Sequence, residues 1–479
     1  MLPVFFLTLF SCEEFLTEEP IGVVSPSVFF KSESDFDFAV KGTYAALGAR
    51  ELYGWHVPVT QVGLTYELTT AASRPEYLLS FDATYATISY FWMGYYRLIN
   101  QCNTILSQID DADINDAIRD ELKGEALFLR ALAYFDLTRL YGGVPLHITP
   151  TLSLDDTAKP RATIAECYAQ IIGDLMNAEA LLLVENSFSV GRSKKISAAG
   201  LLAKVYLTMA GKPLEDTSKL PLAHAKLLEI VNPANPAVAN APYTNALEAD
   251  YQSLFTQGTK NDGVTVLANE NGVESIFEIN FTSIGDGTEG NVFCNTGWIF
   301  NTKKATTWLW NLFDINDYRR SVSYKSNKSQ LKWPKTTAIF NDHESNWHYL
   351  RYADLVLMLA EVENELNGPS DLGLLAINAI RARARAADGT PRTEPADYSV
   401  VEATSKEVFR DLIYNERRIE LSAEGVTWFD WQRTGKIEEM VDLQGAANRN
   451  YLERIELFPI PYQEFTLAGG LLTQNPGYE

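Results

Sequence analysis

The sequence predicts an all-α-dominated chain: a superhelix of helical pairs, TPR-like in geometry, decorated with long irregular loops and small β-hairpins. Three observations carry this expectation. Apolar residues recur at steps of three and four through most of the chain, which is the period of a helix that buries one stripe. The striped segments run for roughly 15 to 25 residues and are joined by short Gly, Pro or Asp turns, so successive helices must pack on one another. No segment repeats at a fixed period, so the pairs would share TPR geometry without the TPR signature.

At the N-terminus, Leu2 to Phe10 form an apolar run ending at Ser11-Cys12. It is too short to span a bilayer and reads as a secretion signal over residues 1–11, truncated because no basic residues precede Leu2. Leu9-Phe10-Ser11-Cys12 looks like a lipobox, which would make Cys12 the lipidated first residue of the mature chain. Glu13-Glu14 directly after it resemble a surface-export signal. No later segment reaches the length of apolar run that spans a membrane.

Helical stripes follow at Phe91 to Ile109, Ala117 to Leu140, Thr163 to Leu182, Ser197 to Met209, Tyr349 to Leu366, Gly373 to Ala386 and Ser405 to Ala423. Thr163 with Glu166, and Thr404 with Glu407, have capping-box spacing. Gly142-Gly143 before Pro145 stops the second helix. Two stretches break the rhythm. Leu52 to Tyr90 is rich in Tyr, Thr and Ser, and Asn232 to Asn346 mixes Pro, Gly and Asn with strand-like runs such as Ser275 to Phe281. Loops on a rigid helical frame are where binding is expected.

Composition narrows the function. With 40 basic against 62 acidic residues the net charge is −22, a field that repels phosphate backbones, so nucleic acid is excluded as a partner. The four cysteines, at 12, 102, 167 and 294, form no C-x-x-C, and lipidation of Cys12 would leave an odd number. Gly285 to Gly290 fits G-x-G-x-x-G, but no helical stripe follows it and Asp286 and Glu289 would face the pyrophosphate. His343-Glu344 to His348 has one residue more than H-E-x-x-H, which turns the second histidine about 100° away. Asp314-Ile315-Asn316 lacks the glycine and closing glutamate of a calcium loop. Neither G-x-S-x-G nor a Walker A occurs. No cofactor, metal or catalytic residue is therefore assigned.

Several blocks carry a family resemblance. Glu125 to Leu146 contains Arg130, Tyr134, Gly142, Gly143 and Pro145; Tyr349 to Glu361 contains Arg351 and Asp354; Asn378, Arg381 and Arg383 follow. Next come Asn415-Glu416-Arg417-Arg418 with Glu420, Glu424-Gly425, Trp428, Asp430, Arg433 and Gly435-Lys436. The chain closes on Phe458-Pro459 with Pro461 and on Gln474-Asn475-Pro476-Gly477-Tyr478, and opens on Phe15-Leu16 with Pro20. In this order the blocks resemble the SusD/RagB family of Bacteroidota. The resemblance implies a non-catalytic outer-membrane lipoprotein at the cell surface. It would capture oligosaccharides, or in the alternative peptides, and pass them to a SusC-like TonB-dependent transporter. A carboxylate-dependent glycoside hydrolase is the remaining alternative, since two flanking carboxylates suffice for that chemistry. The expected organisation is residues 12–230 as an N-terminal helical region, 231–346 as a loop-rich ligand-binding insertion and 347–479 as a C-terminal helical region, all in one compact unit.

The residues of those blocks argue for architecture. Glu416, Glu420 and Glu424, spaced at one helical face beside Arg417 and Arg418, are expected to form ion pairs between helices. Arg381 and Arg385 share a face and Arg383 points away. The family's ligand residues vary, so the binding candidates rest on sugar chemistry: C–H faces pack on flat aromatics while hydroxyls meet polar groups. Trp298, flanked by Asn291 and Asn295, is the first candidate, followed by Trp55, Tyr66, Tyr77 and Tyr85. Trp308, Trp310, Trp347, Trp428 and Trp431 lie in or beside helical stripes and are expected in the core.

Overall fold

A computed structural model describes residues 29–69, 75–255, 257–259, 265–267, 269–281, 304–332, 345–385, 392–445 and 456–478. In the N-terminal half the helices are α1 (Glu33–Gly48), α2 (His56–Leu64), α3 (Pro75–Leu78), α4 (Ala86–Ile109), α5 (Asp116–Tyr141), α6 (Ile164–Leu181), α7 (Lys195–Ala210) and α8 (Leu220–Ile230). Then come α9 (Thr307–Leu312), α10 (Tyr318–Ser323), α11 (Tyr352–Asn367), α12 (Asp371–Arg385), α13 (Lys406–Glu420), α14 (Thr427–Arg433), α15 (Ile437–Gln444) and α16 (Tyr462–Leu467). Each long helix packs on the next, α4 on α5, α5 on α6, α6 on α7 and α7 on α8, and the stack closes through α11 onto α12 and α13. This is the expected all-α superhelix of helical pairs.

The strands are β1 (Leu68–Thr69), β2 (Gln257–Thr259), β3 (Thr265–Leu267), β4 (Ser275–Ile279), β5 (Lys304–Ala305) and β6 (Trp347–Arg351), and they form three antiparallel two-stranded sheets, β1–β5, β2–β3 and β4–β6. One apolar core reaches from Leu47 at the end of α1 to Leu472 beyond α16. A smaller one joins α1 to α4 and α5 through Phe36, Val40, Ile105, Ile109, Leu122 and Ala126.

The local signals mark most boundaries. Thr163 caps α6, its hydroxyl accepting from the Glu166 amide at 3.2 Å while the Glu166 carboxylate accepts from the Thr163 amide at 2.8 Å. Gly142 ends α5 at φ 75°, a left-handed conformation that costs glycine little. At α13 the cap is Ser405, whose hydroxyl accepts from the Val408 amide at 3.2 Å, and not Thr404. The segment from Tyr349 to Arg351 is strand where the stripe reading gave helix. All five residues of β6 are buried, so their apolarity reflects burial from every side and not a helical face. α2 lies inside the stretch expected to be irregular. Every residue from Val57 to Leu64 is buried, so α2 has no polar face to reveal its period.

Charge fills the space between α10, α11, α12 and α13. Arg319 is fully buried and bonds Asp317 at 2.7 Å, Glu416 at 2.6 Å and Glu420 at 3.1 Å. Arg351 bonds Glu274 at 2.6 Å, Glu420 at 2.7 Å and Glu424 at 2.8 Å. Arg383 joins Glu274 at 3.0 Å and also meets Glu420, and Lys332 meets Glu424 at 2.7 Å. Burial alone would raise the Glu420 carboxyl, but Arg383, Arg351 and Arg319 outweigh it and hold the group well below the usual carboxylate range. The expected ion pairs between helices are therefore present, although Glu424 lies in the turn after α13 and not on the helix. Arg381 and Arg385 both bond carbonyls of the 395–396 segment, but Arg381 also bonds Glu416 at 2.7 Å, so it reaches the acidic cluster as Arg383 does. A neighbouring group joins Arg417 to Asp354 at 2.8 Å and to Asp430 at 2.8 Å, with Lys204 on Asp354 at 2.9 Å.

Candidate ligand-binding site

The two stretches that break the helical rhythm meet at one place. β1 and β5 pair antiparallel with Leu68 opposite Ala305 and Thr69 opposite Lys304. The pairing continues outward: the Thr306 amide donates to the Glu67 carbonyl at 2.9 Å and its hydroxyl donates to the Tyr66 carbonyl at 2.9 Å. The Thr306 hydroxyl also accepts from the Leu309 amide at 3.2 Å, so one side chain caps α9 and ties it to the first stretch. Tyr66 adopts φ 56°, a conformation that few non-glycine residues take, and this is where the chain turns into β1.

Glu67 anchors the seam from beneath. It is fully buried; its carboxylate accepts from the Thr427 hydroxyl at 2.7 Å and from the Ala423 amide at 3.2 Å. Burial pushes its carboxyl up to about 7, against the smaller lowering by those donors. A carboxyl tuned to neutrality resembles a general acid. Its oxygens are taken by α14 and the turn before it, so Glu67 is a structural pin between α14 and β1.

Tyr66, Tyr77 and Tyr85 gather around α3. Tyr77, half-buried on α3, has its hydroxyl pushed up first by burial and then by the nearby Tyr66. Tyr85 donates its hydroxyl to the buried Glu76 of α3 at 2.7 Å. Directly after the strand pair, α9 carries Trp308 and Trp310, both half-buried. Arg320 lies 3.9 Å over the Trp310 ring, and Trp308 sits 5.8 Å from Trp431. The expectation that Trp308, Trp310, Trp347, Trp428 and Trp431 are core holds for Trp347, Trp428 and Trp431, each 1% exposed. Trp308 and Trp310 differ because they flank Leu309, which takes the fully buried position of this helix and leaves each ring at the edge of the buried face.

Trp55 is placed elsewhere. It precedes α2, is 8% exposed and carries the Arg50 guanidinium 5.0 Å over its ring, so its area is committed to packing. Trp298, Asn291, Asn295 and Cys12 lie outside the described residues, as do Gly285 to Gly290, His343 and Glu344. His348 lies on β6, buried, with its Nε2 3.7 Å from Glu278. Cys102 and Cys167 are buried free thiols. Among the described residues no cluster of histidine, cysteine and carboxylate side chains could hold a metal ion, and no helix is long and apolar enough to cross a membrane. The seam thus offers aromatic surface, tyrosine hydroxyls and backbone groups, a set suited to stacking and hydrogen-bonding a hydroxylated ring.

Residues 61–207 match a SusD-like family described as starch-binding and associating with the outer membrane, and residues 251–478 match the SusD family. The chain is 29% identical to SusD-like protein P25 of Formosa agariphila over 98% of this chain and 97% of that one. A SusD-like protein of Bacteroides ovatus is 22% identical over 87% of this chain and 78% of that one. Among solved structures, a SusD homologue from Bacteroides thetaiotaomicron superposes with a TM-score of 0.78 at 22% identity, covering 94% of this chain and 98% of that one. A laminarin-binding SusD-like protein gives 0.74 at 24% identity, covering 94% and 100%.

Proposed function

The chain belongs to the SusD family, and on that premise we propose that it is a non-catalytic glycan-binding lipoprotein of the outer-membrane surface. It captures oligosaccharides and passes them to a SusC-like TonB-dependent transporter, held to the membrane through a lipid on Cys12. The observation that supports the binding role is the seam at β1–β5, where two stretches far apart in sequence are stitched together and bring Tyr66, Tyr77, Tyr85, Trp308 and Trp310 to one neighbourhood. Segment 282–303, which carries Trp298, Asn291 and Asn295, leads directly into β5, so those three residues belong to the same reading. A laminarin-binding relative of the same fold favours a glycan as ligand.

The test is a binding screen of glycans and peptides with product analysis in the same samples. Glycan binding without cleavage is expected. Cleavage that follows the purified protein would replace this reading with an enzyme, and binding of peptides alone would change the cargo. With a ligand in hand, Trp298→Ala should weaken binding by about 1 to 3 kcal/mol, the usual range for a stacking residue. Unchanged affinity in a folded variant would remove Trp298 from the site.

A further inference from the structure

A cavity that shares no residue with the seam lies along α4. Its volume is about 610 Å³, within the usual range for small-molecule sites, and it is lined by α4, the 145–159 segment and α16 with the residues after it. Its wall is an aromatic row: Trp92 and Tyr96 lie 5.0 Å apart and Tyr96 and His147 5.6 Å apart. Tyr96 is locked in place, its hydroxyl donating to the Pro145 carbonyl at 2.8 Å. Beyond Met93 the surface continues into a depression of 290 Å³ lined by Ser89, Tyr90 and Tyr462, so the two hollows run in line along one helix.

The charges around this row run against those of the whole chain. Lys159 lines the cavity and bonds only the Leu146 carbonyl among the described residues, at 3.3 Å, while its charge also acts on the exposed Asp156 carboxyl outside the lining. Arg161, outside the lining but acting on Tyr96, bonds the neutral oxygens of Gly143, Thr473, Tyr141 and Asn475 and, among the described residues, no carboxylate. Arg97, also lining, touches Glu51 only at 3.9 Å. Against the two lining cations, Lys159 and Arg97, the cavity wall holds one carboxylate, Glu464. In a protein of net charge −22, two cations facing one carboxylate beside a fixed aromatic wall mark a place suited to an anion with an apolar face.

We propose that this cavity is a second ligand site, for an acidic oligosaccharide: a uronate ring packs on the Tyr96 wall with its carboxylate toward Lys159 and Arg97, and further rings extend past Met93. Failure of this proposal leaves the seam reading intact, because a ligand of the seam would still bind there.

The test titrates trigalacturonate, neutral trigalactose and an acidic tripeptide of equal charge into the full chain in detergent, by calorimetry. The acidic sugar is expected to bind about tenfold or more tightly than the neutral one, and to weaken as salt rises from about 50 to about 300 mM. Lys159→Gln should lower its affinity by about fivefold or more, and Glu464→Gln, which removes the opposing carboxylate, should raise it by about twofold or more. The two variants move in opposite directions, so a fold defect in one does not imitate the pattern. Equal binding of the neutral sugar, or unchanged affinity in both folded variants, overturns the proposal; equal binding of the peptide overturns the saccharide assignment in favour of a protein partner.

Discussion

The charged centre around α11, α12 and α13 and the aromatic seam at β1–β5 are built from opposite materials. At the centre Arg351, Arg319 and Arg383 are buried and shared among Glu274, Glu416, Glu420 and Glu424, so each ion satisfies another ion of the same chain. At the seam the ties are backbone pairs and hydroxyls, and the aromatic rings remain half-buried. The first arrangement leaves nothing for a ligand, while the second leaves surface. The residues that make the chain most recognisable are thus the ones that fix its helices.

Breaking the centre should give the largest effect. Arg351→Ala leaves Glu274, Glu420 and Glu424 each short of a buried cation, which should cost about 3 to 5 kcal/mol of folding free energy. Denaturant unfolding of the variant checks this. A loss below about 1 kcal/mol would show that water or the neighbouring Arg383 and Lys332 replace it, and the contrast between the regions would fail.

How much of this was legible follows the same division. The stripes of α4 to α7 and the Thr163 cap were readable because an amphipathic helix writes its period and its cap into a few residues. The Glu416, Glu420 and Arg417 spacing announced ion pairs, because partners three and four apart share a face. α2 and β6 were not readable, since burial on all sides erases the polar half of any period. The meeting of Thr69 with Lys304 was beyond reach for a different reason. Register between strands 235 residues apart is set by tertiary packing, and two-residue strands carry no alternation to align.

The seam and the centre should also titrate with opposite sign. Glu420 is held low by its cations, so its contribution to stability is lost only as pH falls through the acid range. Glu67 is raised to about 7 from an ordinary 4.5, so the folded chain holds that proton more tightly than the unfolded chain. Its contribution is therefore complete below the unfolded value and is lost as pH rises from about 4.5 to about 7, a span worth on the order of 3 kcal/mol. Glu67→Gln should remove that slope and be more stable than the parent at pH 8. Thermal melts of both proteins between pH 5 and pH 8 check it; parallel curves would mean that Glu67 stays ionised beside Thr427 and Ala423.

The smallest expected change sharpens the comparison most, because it separates affinity from stability. Tyr77 is half-buried on a helix of four residues, next to Tyr66, and makes no ion pair. Truncation to alanine should cost less than about 1 kcal/mol of folding free energy, as for most sites outside a packed core. If the seam binds sugar rings, the same change should weaken the ligand found in the screen by about 1 to 2 kcal/mol, since a stacked aromatic contributes area that alanine cannot replace. Arg351→Ala predicts the reverse: a large drop in stability, with the affinity of the fraction still folded unchanged. A Tyr77→Ala protein that melts much earlier and binds as before would place Tyr77 with the scaffold and move the binding surface toward α9.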